Sequence, residues 1–182
     1  MLIGLRGSGK STAGRRVAHD FADLADAAGD PLAFVDLDDR TPVLLDAPTA
    51  AEAINTQGLA AFRDAERRAL DAVLTEARTK PLVIALGGGT PTAPGAADLL
   101  NAARSAGVVR VVYLHAPPSV LRDRLAQTDT SSRPSLTGAG MLDEIETIYL
   151  QRDGLYRDLA DRVIDTESLD ENALAATLSA II

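Results

Sequence analysis

The first residues of the chain have the pattern of a phosphate-binding loop. Residues 4–11 read Gly-Leu-Arg-Gly-Ser-Gly-Lys-Ser, which fits G-x-x-x-x-G-K-[ST]. In such a loop the glycines let consecutive backbone N–H groups point at one phosphate, and the helix that follows adds the positive end of its dipole. Lys10 can reach the β- and γ-phosphates, and the Ser11 hydroxyl can bind Mg²⁺. An apolar run before the loop and a helical pattern after it are the context the motif requires, so the sequence predicts nucleotide binding.

A carboxylate suited to the same site follows the second apolar run. The segment 32–38 reads Leu-Ala-Phe-Val-Asp-Leu-Asp and predicts a strand that ends in Asp36 and Asp38. Phosphate-loop enzymes usually carry a Mg²⁺-directing Asp at the end of another strand. The third apolar run, within 80–90, ends in glycines, so Asp36 is the available candidate. Helix-capping carboxylates in a solvated turn are the alternative interpretation of these residues.

Apolar periodicity predicts strands that alternate with helices along the chain. Strands are expected within 2–5, 32–38, 80–90, 108–116 and 161–166, and helices within 10–27, 59–78, 95–107, 119–127, 141–160 and 169–182. A short helical segment broken by Pro42 and Pro48 is expected before Gly58. This alternation predicts an α/β fold with a parallel sheet covered by helices on both faces. Ligands bind such sheets beyond the carboxyl ends of the strands, where the notable polar residues cluster.

Composition limits the classes of function. The chain has 182 residues, 46% hydrophobic and 24% charged, which predicts one soluble domain spanning 1–182. A net charge of −8 argues against nucleic acid as the main partner. No apolar run approaches the ~20 residues of a membrane helix, so no membrane partner is expected. The lack of a basic, apolar leader and of cysteine leads us to expect a cytoplasmic protein.

Five further short motifs follow the glycine loop in a fixed order. They are D-L-D at 36–38, F-R-D-A-E at 62–66, G-G-G at 87–89, R-P at 133–134 and Q-R-D-G-L-Y-R at 151–157. With the glycine loop, and in this order, they closely resemble shikimate kinase. The resemblance runs from the first strand to about Thr166. Each motif is weak alone, but six in order on suitable elements make a specific match.

The resemblance implies a fold and a reaction. The implied fold is that of the nucleoside-monophosphate-kinase-like enzymes: three α/β/α layers, a five-stranded parallel sheet in the order 2-3-1-4-5, a mobile lid over approximately 128–140 and a substrate-binding helical region over approximately 38–66. The implied reaction transfers the ATP γ-phosphate to the 3-hydroxyl of shikimate, giving shikimate 3-phosphate for chorismate and aromatic amino acid biosynthesis. One Mg²⁺ per active site is implied as cofactor. We expect a monomer whose partners are shikimate and ATP.

The resemblance also assigns roles on the acceptor side. Asp38 matches the carboxylate that holds the reacting hydroxyl and can take its proton. Arg63 and Arg152 match the arginines that bind the shikimate carboxylate, a task suited to a planar guanidinium. A turn that packs close to the substrate is matched by Gly87, Gly88 and Gly89.

On the ATP side, Arg133 matches a lid arginine that closes over the nucleotide and neutralises charge as the phosphoryl group moves. Arg124 looks like the arginine that flanks the adenine. Asp36 and Ser11 match the residues that position Mg²⁺. The catalytic set is thus Asp38, Lys10 and Arg133. The nucleotide-binding loop itself comprises Gly7, Ser8, Gly9, Lys10, Ser11 and Thr12.

Structural interpretations of the same side chains stay open. Arg63 could pair with Glu66 or Glu52 at the surface, Arg152 could belong to a charged helix face, and Arg133 could be solvated. Glu66 is expected to orient Arg63 rather than to do chemistry. His19 and His115 are expected to be structural or exposed rather than catalytic. Tyr113, Tyr149 and Tyr156 are expected to be core or core-edge residues.

Two other functions compete with the implied one. A gluconate-kinase-like enzyme would share the architecture, but it would not be expected to need the set Asp38, Arg63, Gly-Gly-Gly and Arg152. A nucleotide-binding module without catalysis would tend to lose Lys10, Asp38 or the lid arginine, and all three are present.

The sequence departs from the family pattern in places. Leu59 stands where Glu is usual, and only three residues precede Gly4, which predicts a very short first strand.

Overall fold

The computed structural model describes residues 1–22, 31–127 and 144–181. Within these ranges a five-stranded sheet has the order β2-β3-β1-β4-β5, and every neighbouring pair is parallel. The strands are β1 Leu2–Ile3, β2 Ala33–Asp36, β3 Leu82–Ala85, β4 Val112–His115 and β5 Arg162–Asp165. The predicted order 2-3-1-4-5 is therefore confirmed. β1 has two residues, as the short run before Gly4 predicted.

Helices cover both faces of this sheet. They are α1 Lys10–Ala22, α2 Leu37–Val43, α3 Ala50–Glu76, α4 Ala96–Ser105, α5 Pro118–Ala126, α6 Ile145–Leu159 and α7 Glu171–Ser179, with a 3₁₀ turn at Thr90–Thr92. Val17 of α1 packs with Leu174 of α7 on one face, whereas Leu70 of α3 packs with Leu100 of α4 and Tyr156 of α6 on the other. Two apolar layers therefore enclose the central strands, which explains their near-continuous apolar sequences. Among the helices so described, none is long and apolar enough to span a membrane.

The structure corrects the position of Asp38. The sequence placed Asp36 and Asp38 together at the end of a strand, but β2 ends at Asp36 and Asp38 lies in the first turn of α2. Asp36 is the N-cap of this helix, and one of its carboxylate oxygens accepts a hydrogen bond from the Asp38 backbone N–H at 3.0 Å. The capping interpretation of Asp36 is thus confirmed, although its side chain is buried rather than solvated.

Helix α3 begins earlier than predicted. Thr49 caps it by accepting a hydrogen bond from the Glu52 backbone N–H, and the helix then runs for 27 residues to Glu76. Gly58 interrupts it with φ 85° and ψ 160°, a conformation that favours glycine. The predicted start near Leu59 corresponds to the second half of this kinked helix. The predicted lid over 128–140, with Arg133, lies outside the described residues, as does the predicted helical segment 23–27.

Candidate active site

The glycine loop connects β1 to α1 and has the backbone its sequence predicts. Gly4, Gly7 and Gly9 have φ values of 148°, 80° and 90°. A side chain on Gly4 would also bring its Cβ to 2.6 Å from the Leu114 carbonyl oxygen, so only glycine fits there. The predicted nucleotide-binding residues follow one another through this loop into the first turn of α1: Gly7, Ser8, Gly9, Lys10, Ser11 and Thr12.

Lys10 folds back over the loop. Its side-chain nitrogen donates to the carbonyl oxygens of Gly4 and Leu5, each at 2.9 Å. The Ser8 hydroxyl is buried and has no hydrogen-bond partner in the described part of the chain. A buried hydroxyl of this kind is satisfied when a phosphate oxygen enters the loop. The loop therefore combines a fixed cation with an unsatisfied donor, as a phosphate site requires.

Arg124 lies on α5 beside this loop. Its guanidinium donates to the Gly7 carbonyl at 3.4 Å and to the Thr166 hydroxyl and carbonyl at 3.1 and 2.5 Å. Thr166 is fully buried and in turn bonds the His115 carbonyl at the end of β4. Arg124 thus joins the segment after β5 to the glycine loop. This position is at the rim of the predicted nucleotide site, while an adenine contact stays a prediction.

A cavity opens next to the glycine loop and collects the acceptor-side residues. It lies between that loop, the N-terminal turn of α2, both halves of α3, the glycine turn after β3, the end of α5, and α6. Its charged and glycine lining comprises Arg6, Asp38, Arg63, Glu66, Gly88, Gly89, Glu144 and Arg152. Its apolar lining comprises Leu5, Ala50, Ile54, Leu59, Phe62, Leu125, Ile145 and Ile148. Four residues distant in sequence, Asp38, Arg63, Gly88 and Arg152, therefore meet around one space.

Arg63 is held by a buried carboxylate. Arg63 Nη1 lies 2.5 Å from Glu66 Oε2, and the other oxygen of Glu66 accepts a hydrogen bond from the Thr90 hydroxyl at 2.9 Å. The side chain of Glu66 is 3% exposed and that of Arg63 is 17% exposed. Burial raises the pKa of the Glu66 carboxyl above its usual range, and the charge of Arg63 opposes this shift. The suggested Arg63–Glu66 pair thus exists, but its carboxylate is buried, and Arg63 is partly buried and faces the cavity.

The three glycines after β3 make room for these charged groups. A Cβ on Gly87 would lie 2.6 Å from an Asp38 carboxylate oxygen, and a Cβ on Gly89 would overlap the Arg63 guanidinium. At Gly88 the nearest atom would be the Arg6 backbone nitrogen, at 3.4 Å. Asp38 and Arg63 therefore approach the backbone of the turn more closely than any side chain there would allow.

Helix α6 brings two donors to the same turn. Arg152 Nη1 donates to the Gly88 carbonyl at 2.6 Å, and the Tyr156 hydroxyl donates to the same oxygen. Tyr156 is fully buried, as predicted for a core residue, but sequence reasoning missed its contact with the turn. The spacing of four residues on one helix puts Tyr156 and Arg152 on the same face and could have revealed it.

The two predicted metal ligands lie at the end of β2 and in the first turn of α1. Asp36 is buried, and its second carboxylate oxygen is 4.0 Å from Arg15. Ser11 opens α1. The described part of the chain contains no cluster of three or more His, Cys, Asp or Glu side chains suited to a metal. Mg²⁺ usually binds through one or two protein oxygens, water and substrate phosphates, so Ser11 and Asp36 fit an ion that arrives with a nucleotide.

The histidines occupy structural or exposed positions. His19 lies on α1 with 72% of its side chain exposed. His115 Nε2 is 3.0 Å from the Tyr149 hydroxyl, and its ring meets Tyr113 edge-on at 5.7 Å. Tyr113 donates to Asp153 at 2.9 Å. These contacts connect β4 to α6 and agree with the structural roles expected for these side chains.

Arg6 is a cavity residue that the sequence analysis did not single out. It lines the cavity, although in the loop motif it occupies only an unspecified position.

Comparison with known proteins decides the family. The model of the shikimate kinase family matches residues 6–182. This chain belongs to the shikimate kinase family. A relative named shikimate kinase 2 from Escherichia fergusonii is 36% identical over 165 residues, which cover 90% of this chain and 81% of the relative. Shikimate kinase 2 from Syntrophotalea carbinolica is 34% identical over 179 residues, covering 97% and 92%.

Solved shikimate kinases have the same fold. The enzyme from Acinetobacter baumannii, solved in complex with shikimate, superimposes with a TM-score of 0.79 at 27% identity, over 99% of this chain and 89% of that one. The enzyme from Bacteroides thetaiotaomicron gives a TM-score of 0.76 at 26% identity, over 99% and 95%. The chain is thus an ATP-dependent kinase of the P-loop fold, as the sequence predicted.

Proposed function

We propose that this protein transfers the γ-phosphate of ATP to the 3-hydroxyl of shikimate. The observation that carries the proposal is the cavity in which Asp38, Arg63 and Arg152 meet beside the glycine loop. Shikimate has a carboxylate at one end and hydroxyls at the other, so its site needs cations on one side and an acceptor on the other. This cavity has both, next to a loop built for phosphate.

On the acceptor side, Arg63 and Arg152 bind the shikimate carboxylate. Glu66 restrains the Arg63 guanidinium and leaves its remaining N–H groups for the ligand, since a guanidinium has five donors. Asp38 accepts a hydrogen bond from the 3-hydroxyl and takes its proton as the oxygen attacks the γ-phosphorus. The phosphoryl group passes in line from ATP to shikimate, without a phosphoenzyme.

On the donor side, the loop of residues 4–12 binds the ATP phosphates. The backbone N–H groups and the Ser8 hydroxyl bind phosphate oxygens, and Lys10 places its charge beside the β- and γ-phosphates. Ser11 and Asp36 would hold one Mg²⁺, which neutralises charge on the β- and γ-phosphate oxygens when bound. Arg124 borders the nucleotide from α5.

The remaining parts of the proposal rest on the family resemblance. Arg133 takes the role of the arginine that closes over ATP and neutralises the transferring phosphoryl group. We propose that the chain acts as a single domain and as a cytoplasmic monomer, with shikimate and ATP as its ligands.

Replacing Arg63 tests the acceptor side directly. Arg63→Ala removes one carboxylate-binding cation, so the KM for shikimate should rise far more than the KM for ATP. Arg68→Ala is the matched control, because Arg68 lies on the same helix, is 47% exposed and pairs with Asp64. Equal changes in both KM values for Arg63→Ala would contradict a role in binding the carboxylate.

A further inference from the structure

Two side chains of α6 share one backbone acceptor at the edge of the cavity. The Gly88 carbonyl accepts a hydrogen bond from Arg152 Nη1 at 2.6 Å and another from the Tyr156 hydroxyl. A carbonyl oxygen has two lone pairs, so both bonds can form together. Only Arg152 also lines the cavity.

The two donors differ in how firmly they are held. Tyr156 is 0% exposed, and its ring packs edge-on against Tyr113 at 5.4 Å. Tyr113 is itself fixed by its hydrogen bond to Asp153. Burial raises the pKa of Tyr156 to about 12, so its hydroxyl keeps its proton and stays a donor at neutral pH. Arg152 is only partly buried and can turn its guanidinium toward a ligand.

We propose that Tyr156 is a positioning residue that keeps the Gly88 carbonyl hydrogen-bonded while Arg152 leaves it to bind the substrate carboxylate. The inference rests on the proposed function, because it takes the ligand of Arg152 to be the carboxylate of shikimate. An unpaired, partly buried carbonyl is costly, so Arg152 would hold Gly88 tightly if it were the sole donor. With Tyr156 present, the carbonyl keeps one partner and Arg152 is released at little cost.

Removing one hydroxyl tests this exchange. In Tyr156→Phe, turning the Arg152 guanidinium toward the ligand leaves the Gly88 carbonyl without its second donor, so the Kd for shikimate should rise about three- to tenfold, the worth of one hydrogen bond. ATP affinity should stay unchanged. Tyr149→Phe is the matched control, since Tyr149 lies on the same helix but its hydroxyl contacts His115 and not the glycine turn. The control should bind shikimate as the wild type does.

A double-mutant cycle separates positioning from a general loss of structure. In an Arg152→Met background the Tyr156→Phe change should leave the shikimate Kd unaltered, because the competing cation is gone. An equal fold-change in both backgrounds, or no change in the single variant, would overturn the proposal. Shikimate Kd values come from titration calorimetry, while turnover of the wild type with shikimate tests the proposed function. Failure of the proposed function would appear as missing turnover with shikimate, whereas failure of the exchange would appear only in the Kd values of the variants.

A crystal structure of the wild-type protein with shikimate tests the exchange without any substitution. It should show the Tyr156 hydroxyl still on the Gly88 carbonyl and Arg152 Nη1 on the ligand carboxylate. Arg152 Nη1 still on Gly88, whether or not its other N–H groups bind the carboxylate, would refute the exchange even if Tyr156→Phe failed to fold.

Discussion

Arg63 and Glu66 form a partly buried ion pair one helical turn apart, with Nη1 and Oε2 separated by 2.5 Å. The second oxygen of Glu66 is held by Thr90, directly after the glycine turn, so α3 and that turn are tied together at the cavity wall. The pair therefore fixes a cation where a carboxylate ligand can reach it. Its contribution is to the geometry of the site, since burying a charged pair brings little net stability.

Glu66→Gln should weaken shikimate binding. The amide keeps the shape but loses the charge that holds the Arg63 guanidinium, so the KM for shikimate should rise about tenfold, with a smaller effect on kcat. Asp64→Asn is the control, because Asp64 lies on the same helix and pairs with exposed Arg68. An unchanged shikimate KM in Glu66→Gln would show that Arg63 holds its position without the carboxylate.

The same substitution should change how stability depends on pH. Burial raises the folded-state pKa of Glu66 above 4.5, its value in the unfolded chain, so the folded protein binds more protons between these two pKa values. The contribution of Glu66 to the free energy of unfolding is therefore most favourable below pH 4.5 and is lost as the pH rises through the raised pKa. The free energy of unfolding of the wild type and of Glu66→Gln can be measured with urea across this range. Relative to the variant, the wild type should lose stability as the pH rises. A difference independent of pH would contradict the raised pKa.

Asp38→Asn should abolish most turnover while leaving ATP binding unchanged. The amide can still contact a hydroxyl but cannot take its proton, so kcat should fall about 10²- to 10⁴-fold. Asp39→Asn is the neighbouring control, since Asp39 is 74% exposed and pairs with Arg15 at 3.6 Å. Rapid-quench kinetics and displacement of a fluorescent nucleotide would measure the two effects. A kcat near that of the wild type would remove Asp38 from the chemistry.

Gly89→Ala should disturb the site through one methyl group. The backbone of Gly89 has φ −112° and ψ −14°, which alanine adopts, so the effect comes from overlap with the Arg63 guanidinium. Displacing Arg63 should raise the shikimate KM about tenfold to a hundredfold. Gly154→Ala in α6 has open space around it and should instead stabilise the protein by about 1 kcal/mol. Unaltered kinetics for Gly89→Ala would mean that Arg63 has room to move without loss.

The glycine loop could be predicted from the chemistry of its own residues. The sheet order and the grouping of Asp38, Arg63, Gly88 and Arg152 were implied by the resemblance of six short motifs to shikimate kinase. Boundaries were less accurate: β2 was expected to reach Asp38, but Asp36 caps α2 and ends the strand two residues earlier. Local capping competes with strand extension at such a position, and an apolar pattern alone does not reveal which prevails.

Contacts between distant elements could not be predicted from the sequence. The bonds from Thr90 to Glu66 and from Tyr156 to Gly88 join residues 24 and 68 positions apart. The local sequence around each of these polar groups is typical of a core helix or of a turn, and so gives no sign of the contact. Only the packing of α3 and α6 against the glycine turn makes them part of the site.

The most direct test is ADP release by the purified protein with Mg·ATP and either shikimate, gluconate or no acceptor. The account predicts turnover that depends on shikimate, with shikimate 3-phosphate as the product by ³¹P NMR. Stimulation by gluconate alone would keep the phosphate loop but refute the acceptor side. ATP binding without phosphoryl transfer to either acceptor would contradict the account and favour a non-catalytic module.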